Sequence, residues 1–337
     1  MTPGAPGARG YDLVVFSPHL DDAALSCGGR IAAAVRSGAS VLVVTAFSGA
    51  PDREGRRSSV GSLAAFAGME ARRAEDEVAM ARLGADRMDL GHEEAIGRDA
   101  RYRSFLSLMG AIRRSDAALP RALEDVAHGL CGRNPRALLL FPLGVGGHVD
   151  HRILFEVSRR LLARGVAPGR MAWFEEIPYA FVPFLLEHRL AQSGARLPSS
   201  ARPPDFARTG SILATSRRAV DGVISVPIIR SEIRPLQEGL LRVIMTVLVA
   251  RRRLQASLPG RSGSMILRPD LMDVTEEEST KEDAVVAYRS QLPALFGSAD
   301  AWRRAARAYA ERIDTEPCRH LERYWVCAGV PEAGGAA

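Results

Sequence analysis

The apolar run Leu13–Phe16, cut off by Pro18 and followed at once by His19, Asp21 and Asp22, constrains this chain more than any other stretch. Its length and β-branched content are those of a strand buried on both faces. Proline offers no backbone N–H, so the strand should end there. An open α/β sheet places its ligands at the carboxyl ends of its strands. Ala23–Arg36 then reads as an alanine-rich helix stopped near Gly38, and Val41–Phe47 as a second buried strand. Strand, helix and strand in such short compass form a βαβ unit, which makes the sheet parallel with a right-handed crossover. A second apolar run, Ala137–Phe141, precedes another polar group, Gly146-Gly147-His148-Val149-Asp150-His151. The expected fold is a Rossmann-like, open, mostly parallel sheet with helices on both faces. A C-terminal extension with a basic amphipathic helix should follow it.

Further along, the pattern predicts helices at 68–83, 105–112, 122–130 and 153–163, and strands at 87–90 and 171–174. In the 68–83 helix, Ala74, Val78, Met80 and Leu83 should face inward, with Glu70, Arg72, Glu75 and Asp76 outward. Weaker strand candidates are 223–229 and 264–267, and the last helices are 281–291 and 301–313. The domain plan is a disordered tail at 1–10, an α/β core at 11–190 carrying both polar clusters, and a loop or linker at 191–215. A C-terminal part at 216–327 packs on the core, and 328–337 is a loose tail. Leu236–Leu254 reads either as a core or oligomer-interface helix or as a basic lid over a lipid-bearing or bulky substrate.

Net charge is +6, but the cationic charge is almost all arginine, scattered along the chain, and aromatics make up only 6% of residues, so a nucleic-acid partner is not expected. The four cysteines lack C-x-x-C spacing and read as reduced, buried small hydrophobes of a cytoplasmic protein. No apolar run approaches the ~20 residues that span a bilayer, so stable membrane insertion is not expected. The remaining partner is a small-molecule or glycoconjugate substrate, with a homo-oligomer left open.

His19, Asp22 and His151 make a three-ligand set of the kind zinc takes at catalytic sites, with the fourth position left for water. His19 and Asp22 are three apart, as are His148 and His151, which puts each pair on one side of a first helical turn. Zinc lowers the pKa of its water to about 7. Asp21 must point away from Asp22 and is free to take that water's proton. His148, beside the metal, would hydrogen-bond a developing oxyanion, and Asp150 would fix the tautomer of His148 or His151. Either cluster alone is better read as a structural histidine or a helix-capping aspartate. Together, each closing a strand, they point to a metal. Gly144-Val145-Gly146-Gly147 fails as a dinucleotide fingerprint, because its third glycine would fall on Val149. His92-Glu93-Glu94 has no second histidine for a zincin helix, and neither a nucleophile elbow nor a Walker A sequence occurs.

Both clusters resemble the signatures of the PIG-L/LmbE family of zinc-dependent N-deacetylases. A-H-P-D-D-E appears as Ser17-Pro18-His19-Leu20-Asp21-Asp22-Ala23, and H-P-D-H as His148-Val149-Asp150-His151. Weaker likenesses lie at 73–84, 175–179 and 281–291. The resemblance implies one Zn2+ per chain held by His19, Asp22 and His151, Asp21 as general base, and His148 and Asp150 assisting at the oxyanion. It implies removal of an N-acetyl or N-acyl group from an amino-sugar-containing metabolite. Arg98, Arg103 and Glu176, in loops after strands, are candidates for the sugar pocket. Ala23 stands where the family has Glu, Leu20 and Val149 where it has proline, and Gly146 where some members carry Tyr. Two alternatives stay open: a metal-dependent amidase on a non-sugar amide or thiol conjugate, and a non-catalytic carbohydrate-binding member of the fold.

Overall fold

The computed structural model describes residues 8–50, 68–102, 104–182, 184–197, 211–233, 235–256, 265–314 and 319–329. Eight strands form one sheet in the order β3-β2-β1-β4-β5-β8-β7-β6. They are β1 (Leu13–Ser17), β2 (Val41–Thr45), β3 (Asp86–Asp89), β4 (Leu138–Pro142), β5 (Met171–Phe174), β6 (Ala195–Arg196), β7 (Met265–Asp273) and β8 (Leu321–Gly329). The first five pair in parallel, as expected. β8 is antiparallel to both β5 and β7.

The order reverses between β1 and β4, which lie side by side with Leu13 opposite Leu138 and Val15 opposite Leu140. From β1 the chain first builds outward to β2 and β3, then returns to lay β4 on the other flank. A crevice opens at the carboxyl ends of two strands that part in this way. Both polar clusters follow those two strands.

Helix α1 (Asp22–Arg36) begins inside the first cluster, and α2 (Met69–Leu83) packs beside it. The inward face of α2 differs from expectation. Arg72 and Asp76 are buried, whereas Val78 is 45% exposed. The reason is polar: Tyr288 Oη lies 2.7 Å from Asp76 Oδ1 and 2.9 Å from the Leu20 carbonyl, two acceptors for its one proton, while Arg72 Nη1 lies 2.6 Å from Glu94 Oε1. The helix therefore turns charge, not hydrocarbon, toward the motif-bearing loop.

The run 223–229 is helical rather than a strand: α3 (Ile212–Ser225) ends there and α4 (Pro227–Glu232) starts at Pro227. Thr215, Ala219, Val220 and Val223 form one buried face of α3, a helical period that the short apolar run conceals. Helix α5 (Pro235–Ala256) buries Leu241, Met245 and Val249 against α3 and leaves Leu236, Leu240, Val243 and Val247 exposed. The expected 105–112 helix is a single turn, Phe105–Leu108, with a Ser104 capping box. Among the described residues no helix is long and apolar enough to cross a membrane.

Candidate active site

His19 and Asp22 stand at the turn from β1 into α1, and His148 caps the helix Val149–Ala163 after the end of β4, with Asp150 and His151 in that helix's first turn. The neighbouring strands bring the two clusters together. His19 Nδ1 lies 3.1 Å from Asp22 Oδ2, His151 Nε2 lies 3.3 Å from the same oxygen, and the two nitrogens are 3.3 Å apart. Three donor atoms thus form a nearly equilateral triangle. Ligands of a tetrahedral zinc with ~2.0–2.1 Å bonds stand about 3.3 Å from one another, so these donors already keep that spacing.

His19, His148 and His151 also form a group able to hold a metal ion, with donor atoms within 4.8 Å of one another. The two sets differ in whether Asp22 or His148 completes the trio, and one hydrogen bond bears on the choice. The backbone N–H of Asp150 donates to His148 Nδ1 at 3.2 Å. With the Nδ1 lone pair engaged by that N–H, a neutral ring carries its proton on Nε2 and is a donor there. Burial first, then the neighbouring imidazoles, hold His148 well below the usual histidine range and keep it neutral.

The outer partners depart from expectation. Asp150 meets His148 through its backbone N–H, but its carboxylate turns elsewhere: Oδ2 lies 3.2 Å from His19 Nε2, and Oδ1 is 2.7 Å from Arg98 Nη2. Glu176 takes the place beside His151, with Oε1 at 3.4 Å from Nδ1, a charge contact that falls short of a formed hydrogen bond. Val145 N–H donates to Glu176 Oε2 at 2.8 Å, and Gly144 N–H donates to Oε1. Arg98 is further tied to Asp116 at 2.8 Å. Neither Arg98 nor Glu176 lines the cleft. They brace the histidines instead of facing a sugar, because two buried imidazoles and a buried carboxylate each need an opposite partner. Arg103 lies outside the described residues.

Electrostatics follow from this crowding of carboxylates. Burial alone would lower His151, but Asp22 and Glu176 raise it to about 9. His19 is likewise raised, against burial, by Glu94, Asp150 and Asp22. Asp22 is held well below the usual carboxylate range by the two imidazoles, despite burial. Asp21 goes the other way: burial and the adjacent Asp22 push it up to about 6, with Arg72 only partly offsetting them. Its Oδ1 stands 4.0 Å from Arg72 Nη2. Two adjacent aspartates with carboxyl affinities driven apart suit one ligand and one base.

A cleft with about 810 Å³ of empty space, its open mouth included, meets these groups, and His19, Asp21, Asp22, His148, His151 and Tyr179 line its polar end. Gly146, where a tyrosine stands in some proteins with this motif, has φ +82, and a Cβ there would sit 2.6 Å from Cγ and Cδ1 of Tyr179. The missing side chain is the space this ring occupies. Tyr179, from the loop after β5, meets His151 edge-on at 6.0 Å between ring centres. Burial and then Asp22, Asp21 and Glu176 raise its phenol, which stays protonated. Tyr179, Arg72 and Glu94 were not legible as site residues. The hints were the position of Glu94 after β3 and the weaker family likeness at 175–179, which ends on Tyr179.

Residues 14–162 match the family model described as PIG-L, GlcNAc-PI de-N-acetylase. Among curated proteins the chain is similar to a 2'-N-acetylparomamine deacetylase of Streptomyces fradiae, 33% identical over 178 residues, covering 51% of this chain and 58% of that protein. It thus spans less than two thirds of that relative. It is also similar to a 2'-N-acetylparomamine deacetylase of Niallia circulans, 26% identical over 188 residues, covering 50% of this chain and 67% of that protein. In fold it is similar to a zinc-inhibited form of teicoplanin deacetylase, with TM-score 0.59, 19% identity, and 95% of this chain and 99% of that one covered. A deacetylase in complex with teicoplanin gives TM-score 0.57 at 19% identity, covering 94% and 99%. The segment that matches the PIG-L family model, 14–162, carries both histidine clusters.

Proposed function

We propose that this protein is a zinc-dependent hydrolase that removes an N-acetyl or N-acyl group from an amino-sugar-containing metabolite. The observation that carries the reading is the triangle of His19 Nδ1, Asp22 Oδ2 and His151 Nε2, at 3.1–3.3 Å, beside a carboxyl raised to about 6. The curated relatives named as 2'-N-acetylparomamine deacetylases supply the substrate class.

In this reading His19, Asp22 and His151 hold one zinc ion. Zinc would supply a water acidified toward neutrality and a Lewis acid for the amide carbonyl. Asp21 takes the proton of the attacking water and hands it to the leaving nitrogen as the C–N bond breaks, giving a carboxylate and a free amine. His148, neutral and protonated on Nε2, donates to the oxygen on which negative charge develops. Tyr179 adds a second protonated donor from the opposite loop. Asp150 and Glu176 keep the ligand nitrogens of His19 and His151 aimed inward.

Incubation of the zinc-loaded protein with a panel of N-acetyl amino sugars, N-acetylparomamine among them, tests the proposal by mass detection of the free amine. Release of amine with one zinc per chain is expected. Folded, zinc-loaded protein that frees no amine from any member would overturn it.

A further inference from the structure

Beyond its polar end the cleft changes character. Ile96, Phe105 and Met109, from the stretch after β3, line it together with Ile228 and Ile229 of α4 and Leu295 of the short helix Leu292–Phe296. Among the described residues, every charged side chain on the cleft wall belongs to the reaction centre or to the Arg72–Glu94 pair beside it. A sugar ring pushed along the apolar walls would leave its hydroxyls unpaired, at a cost of ~1–3 kcal/mol each. An acetyl methyl is too short to cover them.

We propose that the true substrate carries an extended hydrocarbon group beside the scissile amide, seated between α4 and the 96–109 stretch. The inference rests on the amide-hydrolase reading above and deepens it by naming what lies next to the amino sugar. Two observations support a built subsite rather than a gap in packing. Val226, Ile228 and Ile229 are buried in the cluster formed by α3, α4 and α5, so the wall has a rigid backing. Ile96 and Phe105 pack on that same cluster and line the same cleft as His19, Asp22 and His151, so the apolar part is continuous with the polar corner. The hydrocarbon could be the acyl chain itself or an apolar aglycone on the sugar. Either presents the same chemistry to these walls.

Each methylene moved from water onto such walls tightens binding about fourfold when fully covered. Two ligand series separate the sources: N-acetyl through N-octanoyl glucosamine, and methyl through hexyl glycosides of N-acetylglucosamine. Cleavage is read as kcat/KM on the zinc-loaded protein, and binding by calorimetry on zinc-loaded Asp21→Asn. A rise of at least about tenfold along one series is expected, in both cleavage and affinity. It should shrink in Leu295→Gln and in Met109→Gln, whose thermal midpoints report whether they fold. A rise along the first series places the hydrocarbon on the acyl side, and along the second on the aglycone. Cleavage of the acetyl sugar with no gain along either series overturns this inference while leaving the hydrolase reading intact. Tighter binding of longer chains without any cleavage keeps the slot and removes the hydrolase. Neither binding nor cleavage removes both.

Discussion

Asp150 Oδ2 stands 3.2 Å from His19 Nε2, across 131 positions of sequence, so the second motif supplies the carboxylate that orients the imidazole of the first. The link makes the two clusters one unit. Asp150→Asn should lower zinc affinity by about 10–100-fold, the usual cost of losing such a partner, and Glu176→Gln should do the same through His151. Competition with a chromogenic chelator measures it. Unchanged affinity in both variants would mean that the ligands are aimed by packing alone.

Asp21→Asn carries a paired signature. Turnover should fall by roughly 10² or more as the base is lost. Stability of the metal-free protein should rise instead. The folded-state carboxyl titrates at about 6, above its ordinary 3.8, so the folded protein binds more protons between those values and loses stability as pH rises through about 6. Removing the charge restores up to about 3 kcal/mol above that pH. Denaturant midpoints at pH 5 and pH 8 check the sign: the variant's advantage must be larger at pH 8.

Protons compete with the metal. His151 titrates at about 9 in the metal-free protein, so at pH 7.5 it is protonated and zinc must displace that proton. Affinity should climb by about tenfold per pH unit up to about 9 for that one proton. Calorimetry in buffers of different ionisation enthalpy counts the protons released, and a count of zero would contradict the environment described for His151.

Tyr179→Phe removes only a hydroxyl. With zinc content unchanged, kcat should drop about tenfold or more if the phenol donates to the reacting oxygen. Gly146→Ala should act on the same ring, since its Cβ would meet Tyr179 at 2.6 Å and its φ of +82 disfavours a side chain. Full kcat in the first variant would reduce Tyr179 to a wall.

The strand ends were legible because physics punctuates them: Pro18 stops a ladder, and His19 and Asp22 follow where only a crevice accommodates them. The meeting of His19 with His151 followed from two strands ending alike. Their adjacency, β1 against β4, follows from the reversal of strand order. The buried polar frame was not legible. Arg72 and Asp76 look like a solvated helix face until Glu94 and Tyr288 are placed against them. Strand β8 was missed for a related reason. Its charges are internally matched, Glu322 with Lys281 at 2.7 Å and Arg323 with Glu175 at 2.6 Å, so a buried strand reads as a polar one. Periodicity reports which residues avoid water only when their partners are water or hydrocarbon.

Helix α4, with Ile228 and Ile229, belongs to chain beyond the family-matched 14–162, whereas every atom of the donor triangle lies within it. The apolar end of the cleft thus draws one wall from the matched segment, through Ile96, Phe105 and Met109, and the other from chain outside it. A chain that exchanged 211–233 for another insert would keep the donor triangle and recut one side of its cleft.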